Sequence, residues 1–369
     1  MNWFYRLLHL VRGKSIEERS APVATRPPFV AVPNSDFPKA GQKSLFELSE
    51  FLIQGRLSAE QVRDCRKTFG DAPVSAIKNA IRDFQHMSFY WWNRTGGGPA
   101  ALVTEIKRLP ELGWLLMFHG NGHVREASLR ALDQPPQTAF EFAAIVARMN
   151  DWVPQVRAAT RRFAETAFPR CDAKIVAESA AYLLPRLGTL QRWDADTRNA
   201  LDARLYQQDV LDALCAHILV ENVGPNGALL RQLLRRGEFD AHLEQLVRHA
   251  KMPIIRAIAA EAVMRGKVRW VAGSARKWID KPAGLWRKVP VIEQRGITVP
   301  FDAAALCRTA AQDKSPVVRL GIARALSDAW RTGGAFEDEI AALLIVDKKP
   351  NVRFHAEFYL LKRSEGGIS

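Results

Sequence analysis

Residues 151–157 read DWVPQVR, 313–319 read DKSPVVR and 347–353 read DKKPNVR. Each copy has Asp, then Pro three positions on, then Val-Arg. A fourth copy, KMPIIR at 251–256, keeps Pro and Arg without the Asp. A fifth, NGHVR at 121–125, keeps Val-Arg. The arginines are Arg125, Arg157, Arg256, Arg319 and Arg353. Their separations of 32, 99, 63 and 34 fall near one, three, two and one multiples of a single period. Such self-similarity is the signature of a repeat architecture. The missing copies are expected near 190, 223 and 286, and GPNGALLRQLLRR at 224–236 suits the second of these.

What surrounds each anchor is helical. After Val156 come Ala159 and Phe163; after Val318 come Ile322, Ala325 and Leu326; after Val352 come Ala356, Tyr359 and Leu360. Spacings of three, four, seven and eight place these on one helix face. Pro154, Pro253, Pro316 and Pro350 stand where a helix begins, the position at which a missing N–H costs nothing. Apolar helical segments also precede the turns, at 140–149, 303–311 and 340–346. The unit is helix, tight turn, helix. One such hairpin cannot bury both faces alone, so copies must stack.

These turns and the Ala/Leu-rich helices after them resemble HEAT repeats over roughly residues 110–369, with a blurred middle at 170–250. The period is shorter than the ~40–47 residues of typical members. It is similar to the short bacterial HEAT-like repeats of phycobilin lyases, although no chromophore-binding residue carries over. The resemblance implies an all-α, right-handed α-solenoid of stacked antiparallel helix pairs. It also implies that Asp151, Arg157, Arg256, Asp313, Arg319, Asp347 and Arg353 are structural anchors bridging neighbouring repeats. HEAT-like alkylpurine DNA glycosylases are a further resemblance, in basic, Trp-rich architecture alone. An Asp flanked by two tryptophans on a concave face would favour that enzyme.

The rest of the chain divides around the array. Residues 1–44 read as an N-terminal helix and a linker with Pro22, Pro27, Pro28, Pro33 and Pro38. In 1–14 (MNWFYRLLHLVRGK), Trp3, Leu7, Leu10 and Val11 share a face. A docked helix is the plain reading and membrane-surface contact the sharper one; a secretory signal is not expected. Residues 45–110 read as a helical cap or divergent repeats, with Leu45, Leu48, Phe51 and Leu52 on one face, and helical regularity resuming at Ser44. In FYWWNRTGGGP at 89–99, Trp91 and Trp92 are expected to pack inward ahead of a flexible connection. It lacks the Gly-Lys-Ser/Thr of a phosphate loop.

No apolar run approaches the ~20 residues that span a bilayer. Cys65, Cys171, Cys215 and Cys307 stand in no metal-ligand spacing, which points to a reducing compartment, most simply the cytoplasm. His119 and His123 in FHGNGH are four apart, but Gly120 and Gly122 argue against a helical metal pair. No metal, cofactor or catalytic constellation is expected.

The functional candidate is RGKVRWVAGSARKWIDKPAGLWRK at 265–288. Arg265, Lys267, Arg269, Arg276, Lys277, Lys281, Arg287 and Lys288 face a lone acid, Asp280. That is +7, half of the chain's net +14. Trp270, Trp278 and Trp286 recur every eight residues. Three readings are open. The tryptophans can pack inward with the charges solvated. The segment can bind nucleic acid, cations on phosphates and indoles on bases. Or it can meet an acidic protein surface or lipid. Two further basic groups, Arg231/Arg235/Arg236 and Arg157/Arg161/Arg162, would join it as a track if they shared its surface. The function expected is a non-enzymatic HEAT-repeat scaffold for macromolecular, that is protein, interaction through a solenoid surface, with a nucleic-acid-binding, glycosylase-like protein as the alternative.

Overall fold

The computed structural model describes residues 38–92 and 98–366, with side chains for 38–85 and 98–365. Residues 1–37, the Thr95–Gly97 connection and the Trp91 and Trp92 side chains lie outside these. The described chain is mostly helical with one two-stranded antiparallel sheet. Its helices are α1 Lys39–Ile53, α2 Ala59–Gly70, α3 Ile77–Trp92, α4 Gly98–Arg108, α5 Gly113–Leu116, α6 Gly122–Ala131, α7 Ala139–Met149, α8 Pro154–Ala167, α9 Ala173–Leu183 and α10 Ala195–Leu205. There follow α11 Gln208–Val220, α12 Asn226–Leu233, α13 Leu243–His249, α14 Pro253–Arg265, α15 Ala303–Ala311, α16 Pro316–Asp328, α17 Ala335–Leu344 and α18 Pro350–Gly366. Strands β1 Lys267–Asp280 and β2 Leu285–Gly296 stand between α14 and α15. Among the described residues helical structure begins at Lys39, five residues before the expected Ser44.

The turn prolines do what their spacing predicts. Helices α8, α14, α16 and α18 begin at Pro154, Pro253, Pro316 and Pro350. The expected copies near 190 and 223 precede α10 and α12. Packing links each helix to the one two places on: α7 to α9, α9 to α11, α11 to α13, α13 to α15 and α15 to α17, and likewise α4 to α6 to α8 to α10, then α12 to α14 to α16 to α18. Between them lies one continuous apolar core, from Leu45 to Tyr359.

The anchor residues tie successive units together. Arg125 is fully buried. Its Nε and Nη2 donate to the two Asp151 carboxylate oxygens at 2.9 and 2.8 Å, and its Nη1 donates to the carbonyls of His119 and Gly120. Arg256 grips Asp313 and the Ala250 and Lys251 carbonyls in the same way. So does Arg319 with Asp347 and the Asp313 and Lys314 carbonyls. Each guanidinium therefore caps the turn before its own helix and reaches the aspartate of the next turn. Arg157 and Arg353 cap their own turns, through the Asp151 and Asp347 carbonyls.

This ladder corrects one expectation. The step from Arg256 to Asp313 spans 57 residues, against 26 for Arg125–Asp151 and 28 for Arg319–Asp347. No repeat is missing near 286. The residues from Lys267 to Gly296 form a hairpin inserted into a single step, and setting those 30 aside leaves 27. Helices α14 and α16 accordingly pack directly on one another. The all-α expectation holds for the body and fails for this insertion.

Candidate functional site: a basic hairpin arm

The hairpin leaves α14 through Gly266, whose φ of +60° lies in the left-handed region that glycine enters most easily. Strand β1 then pairs with β2 from Lys267↔Gly296 to Asp280↔Leu285, with bulges at Ala272 and Ile279. Its base is fastened to the helices. Val268 is buried. Arg295 donates to both carboxylate oxygens of Asp240, at 2.7 and 2.6 Å, and to the carbonyls of Leu234 and Arg236. Arg265 and Arg269 both reach Asp328, at 2.9 Å. Trp270 is half-buried, its Nε1 donating to Glu293 at 3.0 Å and its ring lying under Arg235.

Beyond Trp270 the hairpin stands free. Residues 271–292 are exposed apart from the half-exposed Val289, and among the described residues none of them is hydrogen-bonded to a helix. Cross-strand partners share a face and faces alternate along a strand. One face therefore carries Val271 with Ile292, Ser274 with Pro290, Arg276 with Lys288 and Trp278 with Trp286. The other carries Gly273 with Val291, Ala275 with Val289 and Lys277 with Arg287. The Arg276 guanidinium lies 4.6 Å over the Trp286 ring. The turn is held by Asp280, which accepts from the Ala283 N–H.

The eleven residues singled out from sequence thus divide. Arg265, Lys267, Arg269 and Trp270 belong to the base, where Arg265, Arg269 and Trp270 have partners on the chain. Arg276, Lys277, Trp278, Lys281, Trp286, Arg287 and Lys288 stand together on the outer arm. Even spacing of the tryptophans does not give one stripe, because the bulge at Ala272 puts Trp270 on the face opposite Trp278 and Trp286.

Two observations make the outer arm unusual. Its five cations form no ion pair among the described residues, and four are placed as like-charge partners across the ladder, Arg276 opposite Lys288 and Lys277 opposite Arg287. Directly opposed like charges destabilise a sheet. The same stretch exposes large apolar groups: Ile279 at 67%, Leu285 at 56%, Trp278 at 45% and Trp286 at 44%.

Three arginines of the body's basic groups behave differently. Arg236 pairs with Asp202 and lies over Tyr206; Arg161 pairs with Asp196; Arg157 donates to turn carbonyls. These three are spent on intramolecular contacts, whereas Arg162 is exposed and pairs with no carboxylate among the described residues, and Arg231 reaches only the Gly227 carbonyl of its own helix. The cleft lined by Asn199, Asp202, Tyr206, Arg236 and Glu238 is a comparable case, since Arg198 and Arg236 already occupy the Asp202 carboxylate. Asp151 adjoins Trp152, but Arg125, Arg148 and the Val153 N–H engage its two oxygens. Asp280 adjoins the Trp278/Trp286 pair on an exposed arm and not in a concavity.

His119 is buried, and its Nδ1 accepts from the Asn121 N–H. His123 is exposed at the start of α6. Among the described residues no three His, Cys, Asp or Glu side chains converge as metal ligands. The four cysteines are free and buried. Burial pushes the thiols of Cys65, Cys171 and Cys307 up to about 12, far from the thiolate that reactive chemistry needs. No described helix is long and apolar enough to cross a membrane. A comparison with protein-family models gives no match, and neither does one with curated proteins.

Proposed function

We propose that the chain is a non-enzymatic, HEAT-like α-solenoid scaffold that engages an anionic macromolecular surface through the hairpin arm. The Asp…Pro…Val-Arg turns, the two-step helix packing and the Arg–Asp ladder support the solenoid reading. The observation that carries the function is the contrast in charge satisfaction. Arg125, Arg256 and Arg319 are neutralised by carboxylates and other unpaired cations such as Lys314 and Arg324 stand on the helices, whereas the arm gathers five unpaired cations on one ribbon and sets four of them against each other. An isolated two-stranded ribbon is marginally stable in water, and exposed apolar groups beside unpaired cations mark an interaction surface. Four free, buried thiols support a reducing, cytoplasmic setting.

A nucleic-acid partner is the second reading, favoured by one observation. A two-stranded antiparallel ribbon is among the elements that a DNA major groove, about 12 Å wide, admits.

The test compares two variants of equal net charge. One changes Arg276, Lys277, Lys281, Arg287 and Lys288 to Gln. The other changes five exposed body cations, Lys314, Arg324, Arg331, Lys348 and Lys349, to Gln. Binding to duplex DNA, to polyglutamate and to phosphatidylserine vesicles is measured over a salt series. At low salt the arm variant is expected to lose ~100-fold on the preferred polyanion and the body variant less than ~10-fold. Equal losses would mean that net charge, and not the arm, drives association, and would end this reading.

A further inference from the structure

The proposal here rests on the docking-arm reading and names its partner. We propose that the distal arm docks into the headgroup layer of an anionic lipid bilayer, with the face bearing Trp278 and Trp286 turned toward the lipid.

The chemistry of that face is the first reason. Trp278 and Trp286 are paired at the outer end of that face, with Arg276 and Lys288 next to them and Val271 and Ile292 further toward the base. Neither indole N–H is hydrogen-bonded among the described residues. Tryptophan belongs at membrane–water interfaces, where the ring meets the acyl boundary and the N–H meets water and ester oxygens. Cations beside it meet lipid phosphates, and long Lys and Arg stems let the charges of Lys277 and Arg287 reach the same layer from the opposite face. Four cations at two adjacent registers, on both faces, match a planar layer of anions.

The turn supplies the second reason. It exposes Ile279 and Leu285 but also Asp280 and Lys281. These two charges hold it out of the hydrocarbon. The docking is therefore oblique and shallow, with apolar side chains about 5–10 Å into the headgroup and acyl boundary. A carboxylate at the contact point also separates lipid from nucleic acid. Phosphatidylserine and zwitterionic headgroups carry an ammonium that Asp280 can meet, whereas a duplex presents a wall of phosphates.

The third reason is how the edges are treated. Pro290 removes an N–H from β2, and bulges at Ala272 and Ile279 interrupt β1. Proline, bulges and exposed Lys are the features that discourage addition of another strand. The arm is built to present side chains rather than backbone, which suits a headgroup layer.

The test uses the full chain with phosphatidylcholine vesicles, alone or with phosphatidylserine as a minor component, and with duplex DNA for comparison. An Ile279→Cys variant carries a polarity-sensitive fluorophore; the four native thiols are buried. The expected result is co-sedimentation with serine-containing vesicles, little with phosphatidylcholine alone, a blue-shifted label on binding, and reversal by salt. Changing Arg276, Lys277, Arg287 and Lys288 to Gln should lower partitioning by ~100-fold or more. Trp278→Ala with Trp286→Ala should weaken binding without changing the thermal melt. Absent partitioning at low salt, partitioning that survives the four neutralisations, or an unshifted label would overturn the lipid assignment. If duplex DNA or polyglutamate then binds in an arm-dependent manner, the docking-arm reading stands without it; if the arm and body variants are equal, both fall.

Discussion

At the scale of single residues, the ladder arginines show why one side chain recurs at a fixed phase. Arg125 satisfies two carbonyls at the end of one turn and two carboxylate oxygens in the next, so it closes a polar gap that the stacked apolar faces cannot fill. Removing it strands a buried carboxylate. Arg125→Met is expected to cost about 3–5 kcal/mol in denaturant unfolding, with Arg148 on Asp151 preventing a larger loss. His119 sits against this cluster. Burial, and then the Arg125 charge, push its pKa down to about 4 from 6.5. The sign follows from linkage. The folded state keeps His119 neutral while the unfolded chain takes a proton below pH 6.5, so stability falls as pH drops from about 6.5 toward 4, by up to ~3 kcal/mol. His119→Asn should flatten that limb when urea midpoints are followed against pH. His242 and His355 are shifted the same way by burial and leave a residual slope. Asp347 titrates lower: the Arg319 hydrogen bond holds its carboxyl below the usual range, so its contribution survives until pH falls below about 4.

At the scale of elements, the turns were legible because their chemistry is local. A proline that begins a helix reports on backbone geometry at that spot, as does the Asp three residues before it in three of the four copies, and α8, α14, α16 and α18 start at those prolines. The ladder was legible as a bridge from a turn to its neighbour, though not which aspartate each arginine meets. The hairpin was not legible as such. Its charge and tryptophans singled it out, but spacing of eight suits two helical turns as well as a strand. Signals for a hairpin were present: KVRWV and VPVI are rich in β-branched residues, and Lys281-Pro282-Ala283-Gly284 is turn chemistry between two basic, aromatic runs. What sequence could not supply was the partner of the base. Arg295 is an ordinary exposed-looking residue until Asp240, 55 positions away, meets it, and without that anchor nothing distinguishes a fixed arm from a loose loop.

At the scale of the whole molecule, the proposed function places recognition outside the part that carries the core. One apolar core joins the helices from Leu45 to Tyr359 and excludes residues 271–292. The period of the arginines pointed to the helix–turn–helix units, and the doubled step at Arg256–Asp313 holds an inserted arm where a further copy was expected. An inserted element that touches only its own base can be removed without disturbing the stack. The most direct measurement replaces residues 272–291 by an Asn-Gly turn joining Val271 to Ile292, which are cross-strand partners. Thermal unfolding and binding to phosphatidylserine vesicles, duplex DNA and polyglutamate are then followed on the same protein. The account predicts a midpoint within ~2 °C of the parent, since an exposed ribbon contributes under 1 kcal/mol net, together with loss of polyanion binding. A collapsed midpoint would show the arm to be part of the core, and undiminished binding would show that recognition lies on the helices.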